Sequence, residues 1–131
     1  MASPRPQIVV LFVDDLEGIR ELYSRYLSFR GLRVTTANDG FAALRAVSDA
    51  RPDAIVIDLA MPGMNGGEAI KALRAKPEFS KLPIIVLSGQ GAPDVALAAG
   101  ANSYLEKPCA PEALLQEVLR SLPPREVPAP R

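Results

Sequence analysis

The stretch Gln7–Asp15 reads QIVVLFVDD, an unbroken apolar run that ends in two aspartates. A short continuous apolar run is typical of a strand in a parallel sheet that is covered on both faces. The residues from Ile19 to Leu27 then place apolar side chains at helical spacing, and this pattern stops at Gly31. The chain therefore opens with a strand that ends in carboxylates and leads into a helix.

The same alternation repeats along the rest of the chain. Further strands are predicted for LRVTTA (Leu32–Ala37), DAIVID (Asp53–Asp58), LPIIVLS (Leu82–Ser88) and NSYLE (Asn102–Glu106). Helical patterns lie between and after them, the second capped by Asn38 or Asp39 and the last beginning at Pro111. Five such units predict an α/β fold, a doubly wound five-stranded parallel sheet with helices on both faces.

The length of the chain, 131 residues, suits one domain. We expect that domain to cover residues 7–121. Residues 122–131 contain the motif PPREVPAP, which predicts a Pro-rich C-terminal tail of polyproline II type.

The composition argues against several classes of partner and site. Lysine plus arginine equals aspartate plus glutamate, 15 each, so the charge balance favours neither a nucleic acid nor an anionic membrane partner. The apolar runs are too short to cross a bilayer, and the N-terminus makes a poor signal peptide, so we expect a cytoplasmic protein. Cys109 is the sole cysteine and there is no histidine, which excludes an internal disulfide and the commonest zinc ligands.

Polar side chains stand where the predicted strands end. Strand one ends at Asp14 and Asp15, strand three at Asp58, strand four at Ser88 and strand five just before Lys107. Active sites of such sheets form beyond the carboxyl ends of the strands. The sequence therefore predicts that three carboxylates, a hydroxyl and an ammonium converge at one edge.

Three crowded carboxylates repel one another unless they are protonated or a cation neutralises them. Oxygen ligands without histidine or cysteine favour a hard cation, Mg²⁺ or Mn²⁺. Such a site suits phosphoryl transfer, because an aspartate can act as the nucleophile and form an acyl phosphate. Lys107 could contact a phosphoryl oxygen as a point charge, and Ser88 could donate a hydrogen bond to another.

These residues resemble a known family, the bacterial response-regulator receiver domain with its chemotaxis-regulator-like, flavodoxin-like fold. The resemblance covers roughly residues 7–121 and rests on four motifs in order along the chain. They are VDD (Val13–Asp15), VIDLAMPGMNG (Val56–Gly66), LSG (Leu87–Gly89) and AGANSYLEKP (Ala99–Pro108).

The resemblance implies a role for each site residue. Asp58 would accept the phosphoryl group, and Mg²⁺ would be bound by Asp15, Asp58 and the backbone carbonyl of Ala60, with Asp14 helping through water. Lys107 would bind the phosphoryl group, and Pro108 would follow a cis peptide that aims the lysine inward. Ser88 and Tyr104 would form the switch pair.

As a whole, the resemblance implies a phosphoacceptor that assists its own phosphorylation and dephosphorylation rather than an enzyme. Its phosphoryl donor would be a sensor histidine kinase or a phosphotransfer protein. Because no effector domain follows residue 121 in this sequence, we expect a single-domain response regulator that signals to another protein by contact.

Two features depart from the family pattern. The segment between Ser88 and Lys107 is a few residues shorter than usual, so Ala92–Gly100 should hold at most a short fourth helix, with Pro93 in its first turn. Ala110 also stands where a capping serine is frequent.

Two alternatives remain open. A pseudo-receiver would keep the fold as an interaction module without phosphorylation, and the short fourth helix is the feature that favours it. An enzyme on a similar fold would need a phosphate-binding loop after strand one, where this chain has VDDLEG.

Overall fold

The computed structural model describes residues 7–89 and 91–124. Its elements follow one another as β1 (Val9–Val13), α1 (Glu17–Phe29), β2 (Arg33–Ala37), α2 (Gly40–Asp49), β3 (Ala54–Ile57), α3 (Gly66–Arg74), a 3-10 turn (Pro77–Phe79), β4 (Ile84–Ser88), α4 (Pro93–Ala99), β5 (Ser103–Glu106) and α5 (Pro111–Ser121). The last part of the predicted tail, residues 125–131, lies outside the described residues.

The five strands form one parallel sheet in the order β2-β1-β3-β4-β5. All residues of β3 and β4 are buried, as their continuous apolar runs predict, while most of the edge strand β2 is exposed. The predicted α/β fold with a doubly wound parallel sheet is therefore confirmed.

Two apolar clusters cover the two faces of the sheet. One contains Tyr23 and Leu27 of α1 and Leu114 and Val118 of α5. The other contains buried residues of α2, α3 and α4, namely Ala43, Val47, Ala69, Ile70, Leu73, Ala96 and Ala99. Helices thus shield both faces, which leaves the strand ends as the place where polar side chains can gather.

The helix ends agree with the sequence in most places. Asp39 rather than Asn38 caps α2, and its carboxylate accepts a hydrogen bond from the Ala42 N–H at 2.7 Å. The fourth helix is short, as predicted, with seven residues and Pro93 in its first turn. Ala110 supplies no side-chain cap to α5.

The fifth strand begins at Ser103, one residue later than predicted. The Asn102 side chain accounts for the difference, because its Oδ1 accepts a hydrogen bond from the Ile84 N–H at 2.7 Å. The backbone N–H of Asn102 still donates to the carbonyl of Ile84 at 2.8 Å.

Candidate functional site

The ends of β1 and β3 bring three carboxylates together. One oxygen from each of Asp14, Asp15 and Asp58 lies within 4.8 Å of the other two. Asp14 and Asp58 are 1% and 6% exposed, and Asp15 is half-buried. Such crowding of buried negative charge calls for a positive partner, and an all-oxygen ligand set of this kind fits Mg²⁺.

Backbone hydrogen bonds fix the two buried aspartates. The sheet pairing continues one residue past each strand, with Asp14 N–H donating to the carbonyl of Ala37 at 3.2 Å and Asp58 N–H to that of Val13 at 3.1 Å. Arg20, from α1, donates to the carbonyl of Asp14 at 2.6 Å. The backbone beneath the carboxylates is therefore held from two sides.

The carboxylates also receive backbone donors from the loops that follow. Leu16 N–H donates to Asp14 Oδ1 at 2.9 Å, and Ala60 N–H donates to Asp58 Oδ1 at 3.2 Å. The second bond sets the Ala60 peptide beside the Asp58 carboxylate. The role of the Ala60 carbonyl as a metal ligand stays a prediction.

Lys107 extends into the acid cluster from the end of β5. Its Nζ lies 2.6 Å from Asp14 Oδ2 and 3.2 Å from Asp58 Oδ2. Burial alone lowers the pKa of Lys107, but the hydrogen bond and charge of Asp14, with those of Asp58, outweigh it and raise that pKa. The ammonium is therefore held charged, with two carboxylates as partners.

The backbone around Lys107 is tied to the neighbouring strand. Its N–H donates to the carbonyl of Ser88 at 3.0 Å, and the peptide bond between Lys107 and Pro108 is cis. Sequence reasoning placed the lysine beside a phosphoryl group but did not anticipate its short contact with Asp14. Lys107 and Asp14 both follow the ends of parallel strands, so their common edge of the sheet was the sequence feature that could have predicted this contact.

The Tyr104 side chain reaches the backbone of Ser88, two residues beyond its strand partner Val86. Ser88 is completely buried, and its carbonyl accepts a hydrogen bond from the Tyr104 hydroxyl at 3.4 Å. The same hydroxyl oxygen accepts from the Ala92 N–H at 3.2 Å. Tyr104 thus joins the end of β4 to the start of α4, while its role as a switch stays a prediction.

Gly66 is a positioning residue that sequence reasoning missed. A Cβ at this position would lie 2.0 Å from the carbonyl oxygen of Asp58, so no other residue fits without moving α3. Gly66 N–H also donates to the carbonyl of Leu59 at 3.1 Å. The pair Gly66–Gly67 at a helix start was the available signal, because glycine is a poor helix former.

Within the described residues, no helix is both long enough and apolar enough to cross a membrane. That finding agrees with the short apolar runs of the sequence.

The chain matches the family model of the response regulator receiver domain over residues 10–119. The response regulator MprA of Mycobacterium leprae (strain TN) is 43% identical over 112 residues, which cover 83% of this chain and 48% of that protein. MprA of Mycobacterium sp. (strain KMS) is 41% identical over 125 residues, 91% of this chain and 54% of that protein. The chain thus spans about half the length of these relatives.

Solved structures show the same likeness. The chemotaxis protein CheY4 of Vibrio cholerae superposes with a TM-score of 0.84 at 38% identity, covering 89% of this chain and all (100%) of that one. The receiver domain of the Francisella response regulator 1452 gives a TM-score of 0.82 at 30% identity, over 88% of this chain and 96% of that one. With its sheet, its acid cluster and these relatives in agreement, the chain belongs to the response-regulator receiver domains of two-component signalling.

Proposed function

We propose that this receiver domain accepts a phosphoryl group on Asp58 in a Mg²⁺-dependent reaction. The observation that carries the proposal is the meeting of Asp58 with two further carboxylates and the Lys107 ammonium at one edge of the sheet. The likeness to receiver domains points to Asp58, directly after β3, as the acceptor, and its carboxylate lies in the acid cluster 3.2 Å from the Lys107 ammonium.

Phosphoryl transfer to Asp58 forms one bond to phosphorus and breaks another. A carboxylate oxygen of Asp58 attacks the phosphorus of the donor, and the bond between that phosphorus and the donor's nitrogen or oxygen breaks. An acyl phosphate forms on Asp58, and the leaving group keeps the electron pair of the broken bond. Lys107 then offsets charge on the phosphoryl oxygens.

Asp14, Asp15 and Asp58, with the carbonyl of Ala60, would hold Mg²⁺. A bound Mg²⁺ supplies positive charge that offsets the repulsion between these carboxylates and an incoming phosphoryl group. Asp14 is engaged by Lys107 and by the Leu16 N–H, so its part in metal binding is the lesser one.

The donor we propose is a sensor histidine kinase or a phosphotransfer protein. Phosphorylation adds charge and acceptor oxygens at a buried position, which is enough to bias a two-state element nearby. The domain would then signal by contact with another protein through the surface around Ser88 and Tyr104.

Intact mass after incubation with acetyl phosphate tests the acceptor assignment. The wild-type chain should gain one phosphate with Mg²⁺ present and none when the cation is chelated. Asp58→Asn should gain none, whereas Asp49→Asn, which changes an exposed acid on α2, should label like wild type. Labelling of Asp58→Asn would overturn the assignment, and an unlabelled wild type would favour a pseudo-receiver.

A further inference from the structure

Tyr23 connects α1 to the segment that follows Lys107. Its hydroxyl donates a hydrogen bond to the carbonyl of Cys109 at 2.6 Å, across 86 residues of sequence. The accepting residue lies two positions after Lys107, just past the Lys107–Pro108 peptide. A side chain of one helix therefore holds the backbone from which the site's ammonium projects.

The Tyr23 ring is itself fixed. The side chain is 4% exposed and stacks on Phe12 of β1, with ring centroids 5.5 Å apart and an interplanar angle of 18°. Phe12 lies on β1, and Asp14 follows the last residue of that strand. Packing on β1, the strand that precedes Asp14, therefore holds the Tyr23 ring and its hydroxyl in place.

Tyr23 also acts as a donor over the whole physiological range. Burial, the largest cause, raises the pKa of its hydroxyl above the ordinary 10.0, and the charges of Lys107 and Asp14 have smaller effects of opposite sign. A neutral hydroxyl donates to the Cys109 carbonyl, while an ionised one could not.

The segment that this bond holds also packs on the apolar cluster through Cys109, and the Ala110 carbonyl accepts hydrogen bonds from the Ala113 and Leu114 N–H groups of α5. Ala110 gives α5 no side-chain cap, and the Cys109 thiol is only half-buried. On its other side, Lys107 is anchored by its own N–H to the carbonyl of Ser88 at 3.0 Å. Two anchors, one before and one after the Lys107–Pro108 peptide, therefore define where the lysine backbone lies.

We infer that Tyr23 is a positioning residue for Lys107: by holding the Cys109 carbonyl, it keeps the Lys107 ammonium within reach of Asp14 and Asp58. The inference rests on the proposed function only where it predicts a rate of phosphoryl uptake. The Tyr23 hydroxyl bonds to the carbonyl of Cys109, so its effect on Lys107 runs through the backbone.

A double-mutant cycle tests the inference, with phosphoryl uptake from acetyl phosphate and Mg²⁺ as the readout. Tyr23→Phe keeps the ring and removes only the hydroxyl. It should slow uptake about fivefold, the effect expected from one typical hydrogen bond. In a Lys107→Ala background the same change should have almost no effect, because the side chain that it positions is gone.

Tyr26→Phe is the matched control. Tyr26 lies on the same helix, and its hydroxyl oxygen accepts a surface hydrogen bond from Arg30 at 2.8 Å, so its loss should leave uptake unchanged. An unchanged rate in Tyr23→Phe would overturn the inference. Equal slowing in the wild-type and Lys107→Ala backgrounds would also overturn it, since Tyr23 would then act on something other than Lys107.

A second readout does not need phosphorylation. An ammonium held in an ion pair exchanges its protons slowly enough to give its own NMR signal, which Lys107→Ala identifies by its loss. That signal should weaken or vanish in Tyr23→Phe and persist in Tyr26→Phe. If the wild type took up no phosphate, the proposed function would fail, but a persistent ammonium signal in Tyr23→Phe would still overturn the role of Tyr23.

Discussion

The ammonium of Lys107 lies 2.6 Å from Oδ2 of Asp14, closer than it lies to the proposed phosphoacceptor. The Lys107 ammonium therefore pairs with the same carboxylates that Mg²⁺ would bind. Removing it should leave Mg²⁺ binding at least as strong as in the wild type, because one positive neighbour of the cation is lost. Calorimetric titration of Lys107→Ala with Mg²⁺ measures this, and clearly weaker binding would contradict it.

The same variant should respond less to phosphorylation. Because the ammonium contacts Asp58 directly, at 3.2 Å, we expect it to sense an arriving phosphoryl group. NMR spectra of Lys107→Ala should therefore shift less than those of the wild type when a beryllofluoride mimic and Mg²⁺ are added. Shifts of equal size and extent would make Lys107 a bystander to the response.

Apart from Asp58, Asp15 should be the aspartate on which Mg²⁺ affinity depends most. Its half-buried carboxylate lies in the acid cluster, and it has no part in the two ion pairs of Lys107. Asp15→Ala should weaken Mg²⁺ binding about tenfold or more, since even about 1.4 kcal/mol of lost attraction gives that factor. Asp14→Ala should weaken it less, because Asp14 is already neutralised by Lys107.

Asp49→Ala is the control for both variants, since Asp49 is an exposed acid at the end of α2. It should bind Mg²⁺ like the wild type in the same titration. If Asp15→Ala matched this control, the cation would have to bind elsewhere.

The five-stranded parallel sheet and the convergence of Asp14, Asp58 and Lys107 could be read from the sequence. Asp14 and Asp58 follow buried apolar runs, Lys107 follows a short, partly buried strand, and parallel strands put their carboxyl ends at one edge. The periodicity of apolar residues and the position of a polar residue after a strand are local properties, so they can be recognised in a single sequence.

Contacts that depend on tertiary distances between elements could not be read in this way. The clash that requires Gly66 beside Asp58 and the reach of Tyr23 to Cys109 both arise from tertiary distances. In the sequence, Tyr23 is one apolar position among several on α1. The start of β5 shifted for the same reason, because the side chain of Asn102 takes a backbone donor of the neighbouring strand.

Alkaline pH should destabilise the domain through Lys107 and Tyr23. The pKa of Lys107 is raised because Asp14 and Asp58 outweigh the effect of burial, and that of Tyr23 is raised mainly by burial. Both groups therefore keep their proton to higher pH in the folded state than in the unfolded chain. The stabilisation that Lys107 and Tyr23 contribute is complete below their ordinary pKa values of 10.5 and 10.0. It is lost as the pH rises through the higher pKa values of the folded state.

Urea unfolding without Mg²⁺, compared at about pH 8 and about pH 11, measures this loss across the window in which lysine and tyrosine titrate. The wild type should lose more unfolding free energy between the two conditions than Lys107→Met or Tyr23→Phe. A loss of the same size in all three proteins would show that neither group is responsible.

The short helix α4 is held unequally at its two ends. At its start, the Ala92 N–H donates to the Tyr104 hydroxyl oxygen at 3.2 Å, and that hydroxyl donates to Ser88 at 3.4 Å. At its other end, Arg74 of α3 donates to the carbonyl of Gly100 at 2.9 Å. The same guanidinium donates to Phe79 at 2.8 Å and to Asn102 at 3.0 Å.

Activation should therefore open α4 from its start while its end stays in place. The two bonds at the start are long and depend on one hydroxyl, so a reorientation of Tyr104 would break both. Hydrogen exchange with and without a beryllofluoride mimic should change most from Ser88 to the first turn of α4 and at Tyr104, and little at Gly100. Arg74→Lys, which cannot keep the three-way fork, should extend the change to Gly100. A change confined to Asp58, or one largest around Arg45–Arg51, would contradict this route while leaving the acceptor assignment intact.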